Sequence, residues 1–232
     1  MLGVIAGSAL RDSEFARDGR RVEHAGVAML AVGDTLVLQR HGLDAWSPPH
    51  RIDHRAHVAA LLAAGVTHVL ALSSVGSLRI DWPVGTVALA SDFYAPAVTL
   101  PFHDDLRSHQ VPGFEPGWSA TVRDTWRAST STPIIDDAVY AQTPGPRFET
   151  PAEVRALARV ADLVGMTVAS ECTLASEVGL PYAAVCVVDN LANGLGDGVL
   201  TMDEFQAGVA RNRARLIADL DAVIPRLAQV VA

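Results

Sequence analysis

The sequence predicts an α/β fold, a central mixed sheet flanked by helices in a single domain spanning residues 1–232. Short apolar, β-branched runs alternate with stretches of helical spacing, which is the signature of strands joined through helices. An early hairpin signal, Gly33-Asp34 between two such runs, means that the sheet is not purely parallel. No internal repeat, low-complexity tract or composition break divides the chain, and its length suits one large domain.

Each element has a local reason. Leu2–Ala6 is a compact apolar run and reads as the first strand. Val27–Val32 and Thr35–Gln39 read as the two arms of the hairpin. Arg55–Ala64 has apolar residues at helical spacing, and Gly65 fits the position just past a helix end. Val66–Ser73 reads as a buried strand, and Val84–Ala90 as another after the turn Asp81-Trp82-Pro83. The segment from about Tyr94 to Gly117 reads as one long irregular loop, and a loop of that length in a compact domain is usually functional. Ala138–Gln142 is strand-like, and Pro151–Arg159 is a helix that starts on proline. Thr167–Val178 reads as a helix ending near Gly179, followed by the core strand Pro181–Val188. Met202–Val230 closes the pattern as a long amphipathic helix with Asp203 and Glu204 in its first turn.

Composition narrows the function classes. The net charge is -8, and a nucleic-acid partner would need a basic surface, so the reading is no nucleic acid. No stretch approaches the ~20 apolar residues of a membrane span, and the apolar start lacks the basic flank of a signal peptide. No membrane and a cytoplasmic location are the expectation. Cys172 and Cys186 lie in apolar surroundings without a CxxC pairing, which suits buried reduced thiols.

Three segments carry chemistry. In GPRFETPAE, Phe148 offers an aromatic face beside the Glu149 carboxylate. In GMT, Met166 is a soft apolar surface beside the Thr167 hydroxyl, and in VVDN Asn190 both donates and accepts. A flat heteroaromatic ring with N–H and C=O groups needs such a set: stacking for affinity, paired polar groups to read its edge. Ser8, Arg40, His41, Ser73 and Ser74 stand at the ends of strands, where open α/β sheets bind ligands. One arginine with several hydroxyls and N–H groups makes a phosphate site. Each segment also has a bland reading, a tight turn at Ser8 or a surface arginine beside a loop histidine at Arg40-His41. His50, His54 and His57 have helical spacing that would suit a metal, but a helix start is the stronger reading. The expectation is no metal, with phosphate entering as a free anion.

Taken in order, GSAL, RHG, PPHRIDHRAHVAAL, SSVGSL, GPRFETPAE, GMT and GLPYAAVCVVDN resemble the trimeric purine nucleoside phosphorylases, a group that includes the methylthioadenosine and methylthioinosine phosphorylases. The resemblance spans roughly residues 3–220. It implies a partly closed barrel, a homotrimer, and phosphorolysis of a purine nucleoside to the free base and ribose 1-phosphate. No cofactor is implied, with inorganic phosphate as co-substrate. It further implies Ser8, Arg40, His41, Ser73, Ser74 and Thr167 at phosphate, Phe148 and Glu149 at the base, Met166 beneath the ribose, and Asn190 at N7 and O6 of the leaving purine. Arg40, His41 and Asn190 are the catalytic candidates. Glu149 with Asn190 is the 6-oxopurine pattern, since adenosine-type members tend to carry a small hydroxyl residue and an aspartate there. Asp189 departs from the threonine usual before that asparagine. Members using ordinary nucleosides place a histidine of the last helix at the 5′-hydroxyl; here Val209 is the nearest candidate, which suits a 5′-deoxy or 5′-methylthio group such as that of methylthioinosine. His109, and less closely Phe102 and His103, resemble residues reaching the site from a neighbouring subunit. A methylthioadenosine phosphorylase and a hydrolytic purine nucleosidase are the alternative enzymes, and a silent purine-binding protein is the non-enzyme rival.

Overall fold

The computed structural model describes residues 1–10, 15–196 and 198–232. Among these, nine strands form one sheet: β1 (Leu2–Ala6), β2 (Arg20–His24), β3 (Val27–Val32), β4 (Thr35–Gln39), β5 (His68–Ser77), β6 (Val87–Tyr94), β7 (Ile134–Gln142), β8 (Leu163–Gly165) and β9 (Tyr182–Leu191). Their order is β2-β3-β4-β1-β5-β8-β7-β6-β9, and β9 also pairs with β5, so the last five strands close into a barrel. Parallel pairs (β1 with β4 and β5, β5 with β9, β6 with β7, β7 with β8) mix with antiparallel ones (β2–β3, β3–β4, β5–β8, β6–β9). The expected mixed, closed sheet is therefore present.

Five helices cover it: α1 (His54–Ala63), α2 (Pro116–Ser129), α3 (Pro151–Leu157), α4 (Val168–Glu177) and α5 (Met202–Val230). Alternation along the strands feeds two cores. Leu2, Val4 and Ala6 of β1 pack with Trp118, Val122 and Trp126 of α2 and with Leu216, Leu220 and Leu227 of α5. Ile5 points the other way, among residues of α1 and α4 such as Leu61, Val168 and Cys172. A strand's period of two turns one apolar run into two buried faces.

Helix starts follow their caps. Asp53 accepts from Ala56 N at α1, and Thr150/Glu153 and Thr201/Glu204 form reciprocal capping boxes at α3 and α5. The exception is α4, whose Thr167 makes no side-chain capping bond. Gly208 lets α5 cross the end of β9 closely, because a Cβ there would run into Asp189 O.

The sequence reading misses β2, β8 and α2. β2 is largely exposed and has no apolar run, and β8 has only three residues. α2 starts on Pro116, with Glu115 capping Gly117 and Trp118 N–H, so the expected loop ends where a helix begins. The strand expected from Val84 starts at Val87, because Gly85 N–H donates to Val188 O and Thr86 N–H to Pro83 O in a turn.

Candidate active site

One cavity of about 830 Å³ opens at the strand ends. Ser8, Arg40, His41, Ser73 and Ser74 line it from β1, β4 and β5. Phe148, Glu149, Met166, Thr167, Asn190 and Val209 line the same space. Sixteen residues, including α3 and β8, separate Glu149 from Met166, and more separate the others, so the fold, not local sequence, brings these residues together. That volume is in the range of cavities that bury a drug-sized ligand, roughly 300–1,000 Å³.

Arg40 is 2% exposed, and its fork does not face the cavity as an open cation. Nε donates to Glu171 Oε1 at 2.5 Å and Nη2 to Glu171 Oε2 at 2.9 Å, while Nη1 donates to Leu72 O at 2.8 Å. Gly7 is required beside it, since a Cβ would stand 2.6 Å from Arg40 Nη1. Glu171, on α4, is fully buried and also accepts from Tyr182 OH at 2.7 Å. Burial opposes both charges and each outweighs it in the other, so Arg40 titrates above its ordinary range and Glu171 below. The pair is close to neutral, and the outer N–H of each terminal nitrogen remains for a ligand. Glu171 escaped the sequence reading because it lies in an apolar-looking helix far from Arg40 in the chain.

His41 Nδ1 lies 2.9 Å from Ser47 O and Nε2 3.3 Å from Ser8 Oγ. A carbonyl only accepts, so Nδ1 carries the hydrogen, and in the neutral form Nε2 accepts from the serine. The N–H expected to face an anion is thus directed at Ser47. Trp46 stacks near the same ring, centroids 6.3 Å apart, at the cavity mouth. Thr167 leaves its hydroxyl uncommitted to the start of α4, whose first N–H groups reach Tyr140 OH instead.

At the other end, Thr143 Oγ1 donates to Glu149 Oε1 at 2.6 Å, which fixes the carboxylate and leaves Oε2. Phe148 lies 6.1 Å from Phe205 of α5, centroid to centroid. Asn190 Nδ2 donates to Leu191 O at 2.8 Å, so one amide hydrogen and the amide oxygen remain. Asp189 turns away into the protein: Asn212 Nδ2 donates to its Oδ1 at 2.6 Å. Burial pushes its carboxyl upward, partly offset by Asn212 and Ser74, although Ser74 Oγ and Asp189 Oδ2 make no direct hydrogen bond.

His109, Phe102 and His103 do not line the cavity of their own chain; the backbone N–H groups of the last two donate to Glu177 Oε2. His54 Nδ1 stands 3.6 Å from Glu171 Oε1, which gives that histidine a structural neighbour. Among the described residues no group of three His, Cys, Asp or Glu side chains is placed to hold a metal ion. No helix among them is long and apolar enough to cross a membrane.

A mixed, closed sheet with hydroxyls and a buried arginine at one end of its cavity, and an aromatic–carboxylate pair at the other, defines a protein that receives an oxyanion together with a flat polar ring. The chain belongs to the phosphorylase superfamily, which matches it over residues 3–225. It is 37% identical over 203 residues to a probable 6-oxopurine nucleoside phosphorylase of Archaeoglobus fulgidus, covering 84% of each chain. It is 36% identical over 196 residues to a probable S-methyl-5'-thioinosine phosphorylase of Methanosarcina acetivorans, covering 83% of this chain and 75% of that one. Its fold matches the adenosine/methylthioadenosine phosphorylase of Schistosoma mansoni with a TM-score of 0.80 at 22% identity, over 100% of this chain and 92% of that one.

Proposed function

We propose that the chain is a purine nucleoside phosphorylase that prefers 6-oxopurines and accepts a 5′-deoxy or 5′-methylthio sugar. The observation that carries this reading is the single cavity shared by Ser8, Arg40 and Thr167 with Phe148, Glu149 and Asn190. A phosphate oxygen attacks C1′ of the ribose as the bond from C1′ to N9 breaks. The electron pair leaves with the purine, which ends with the proton that hydrogen phosphate gives up on forming the ester, and the sugar leaves as its 1-phosphate. Positive charge grows on the sugar and negative charge on the base. Phosphate stabilises the first, and the remaining Asn190 amide hydrogen stabilises the second at N7, most strongly once the charge has developed.

Base choice follows hydrogen-bond polarity. Glu149 Oε2 accepts N1–H of a 6-oxopurine, and the one free Asn190 amide hydrogen is shared between N7 and O6. Adenine reverses both, and an unmatched buried group costs about 1–3 kcal/mol. Both named relatives, one a 6-oxopurine and one a methylthioinosine enzyme, support this choice. At the sugar end Val209, Met202 and Phe205 supply an apolar wall without a histidine.

No cofactor takes part, inorganic phosphate being the co-substrate. The assembly is a homotrimer in which the loop bearing Phe102, His103 and His109 completes a neighbour's site; a monomer by light scattering would remove that role. Two buried, unpaired thiols support the cytoplasm as compartment. Initial rates with inosine, guanosine, adenosine, methylthioadenosine and methylthioinosine, with and without phosphate, test the whole reading. Turnover without phosphate would make the protein a hydrolase, and preference for an adenosine-type substrate would defeat the role given to Glu149.

A further inference from the structure

Among the described residues the cavity wall carries three basic side chains, Arg40, His41 and Arg213, and the chain contains no lysine. Glu171 balances the first. The second, in its neutral form, presents an accepting nitrogen to Ser8. A dianionic ligand beside the Glu149 carboxylate therefore needs positive charge that neither supplies. Arg213 is placed to supply it.

Arg213 lies one helical turn beyond Val209 on α5, so both side chains fall on the helix face that lines the cavity. Its Nε donates to Ala9 O at 3.2 Å, holding the guanidinium against the short 3₁₀ turn Ser8–Leu10. That bond uses one N–H of a five-donor fork. Among the described residues, no carboxylate pairs with Arg213 and no acceptor takes its Nη groups. The side chain is half-buried, so its charge is only partly screened and is open to a ligand. A cation anchored at Nε, on a side chain that lines a cavity and keeps its terminal N–H groups for a ligand, suits a tetrahedral oxyanion.

We propose that Arg213 binds a phosphate oxyanion through its Nη groups, beside Ser8, and is the unbalanced positive charge of the site. The identity of that oxyanion rests on the phosphorolysis reading; the binding does not. It is either inorganic phosphate or a phosphate ester on the sugar.

The test is direct binding, followed by the fluorescence of Trp46 at the cavity mouth. Wild type, Arg213→Met and Arg213→Lys are titrated with inorganic phosphate, with a nucleoside 5′-monophosphate, and with hypoxanthine as a folding control. Losing a charged hydrogen-bond donor should weaken inorganic phosphate in Arg213→Met by roughly ten- to a hundredfold, with hypoxanthine affinity unchanged. A drop confined to the nucleoside 5′-monophosphate keeps the oxyanion site and assigns it to the ester. Wild-type affinity for both anions in Arg213→Met overturns the proposal. If that variant also loses hypoxanthine through the broken Ala9 bond, the lysine variant decides: anion affinity recovered with the charge upholds the site, and affinity as poor as the methionine variant's overturns it. A wild type that binds phosphate through Arg213 yet cleaves no nucleoside would sink the phosphorolysis reading alone.

Discussion

Replacing Glu171 by glutamine tests whether the site depends on a buried ion pair. The carboxylate is fully buried, accepts from Arg40 Nε and Nη2 and from Tyr182 OH, and stands 3.6 Å from His54 Nδ1. Glutamine keeps the shape but offers one acceptor oxygen where two are used. Its NH2 group would face either Arg40 Nε–H, or both Arg40 Nη2–H and the tyrosine O–H, donor against donor. Arg40, 2% exposed, would also keep its charge without a counter-ion. Leaving a buried charge unpaired costs about 3–5 kcal/mol. For a chain of this size each kcal/mol moves Tm by about 2–4 °C, so the variant should melt roughly 6–20 °C lower. Differential scanning calorimetry in phosphate-free buffer measures it. The two readouts should move together: with Arg40 no longer held, the KM for phosphate should also rise several-fold. A Tm within about 2 °C of wild type would refute the reasoning, since solvent would then be reaching Arg40 despite its burial.

Other perturbations have equally definite outcomes. Asn190→Ala should lose on the order of a hundredfold or more in kcat for inosine, as deletion of an oxyanion donor does; unchanged turnover would remove the role given to that amide. His57, pushed down to about 4 chiefly by burial, should make stability fall with acid. Between pH 6.5 and 4 the unfolded chain binds a proton that the folded chain refuses, so stability rises with pH there, by up to about 1.4 kcal/mol per unit. Urea denaturation of His57→Gln across this range should show a shallower slope, and an unaltered slope would assign the effect elsewhere. Gly208→Ala should destabilise by about 1–3 kcal/mol, the usual cost of overpacking, because the new methyl meets Asp189 O. A thermal melt matching wild type would mean that α5 shifts freely over β9.

What could be read from the sequence was set by how local each signal is. β1, the β3–β4 hairpin and the full extent of α5 follow from apolar period, turn residues and caps that lie within a few positions of one another. β8 depends on neighbours supplied by distant segments, while β2 pairs with the adjacent β3 through a tight turn but is polar and largely exposed, so no apolar run marks it. Every residue assigned to phosphate lines the cavity, as do Phe148, Glu149, Met166, Asn190 and Val209, because motifs at strand ends converge in an α/β sheet. His109 does not line it. The roles inside the cavity were less legible than its membership. Arg40 reads as a cation from its type alone, and only the fold reveals that Glu171, 131 positions away, balances it.

That balance changes how the site has to work. A lone buried guanidinium would bind phosphate tightly before and during reaction alike, and uniform binding lowers KM without raising kcat. Paired with Glu171, Arg40 acts as a fixed, nearly neutral donor whose orientation is set by two hydrogen bonds to one carboxylate. In the proposed reaction its remaining N–H groups would meet the anion through an attraction that is dipolar and depends on geometry. The long-range pull then falls to the half-buried Arg213, which solvent and salt screen in part. Raising ionic strength should accordingly weaken phosphate capture through Arg213 far more than it alters kcat at saturating phosphate, where the proposed mechanism gives the chemistry to the buried pair and Asn190. A kcat that falls with salt as steeply as kcat/KM for phosphate would place the screened charge in the chemical step and reverse this division of labour.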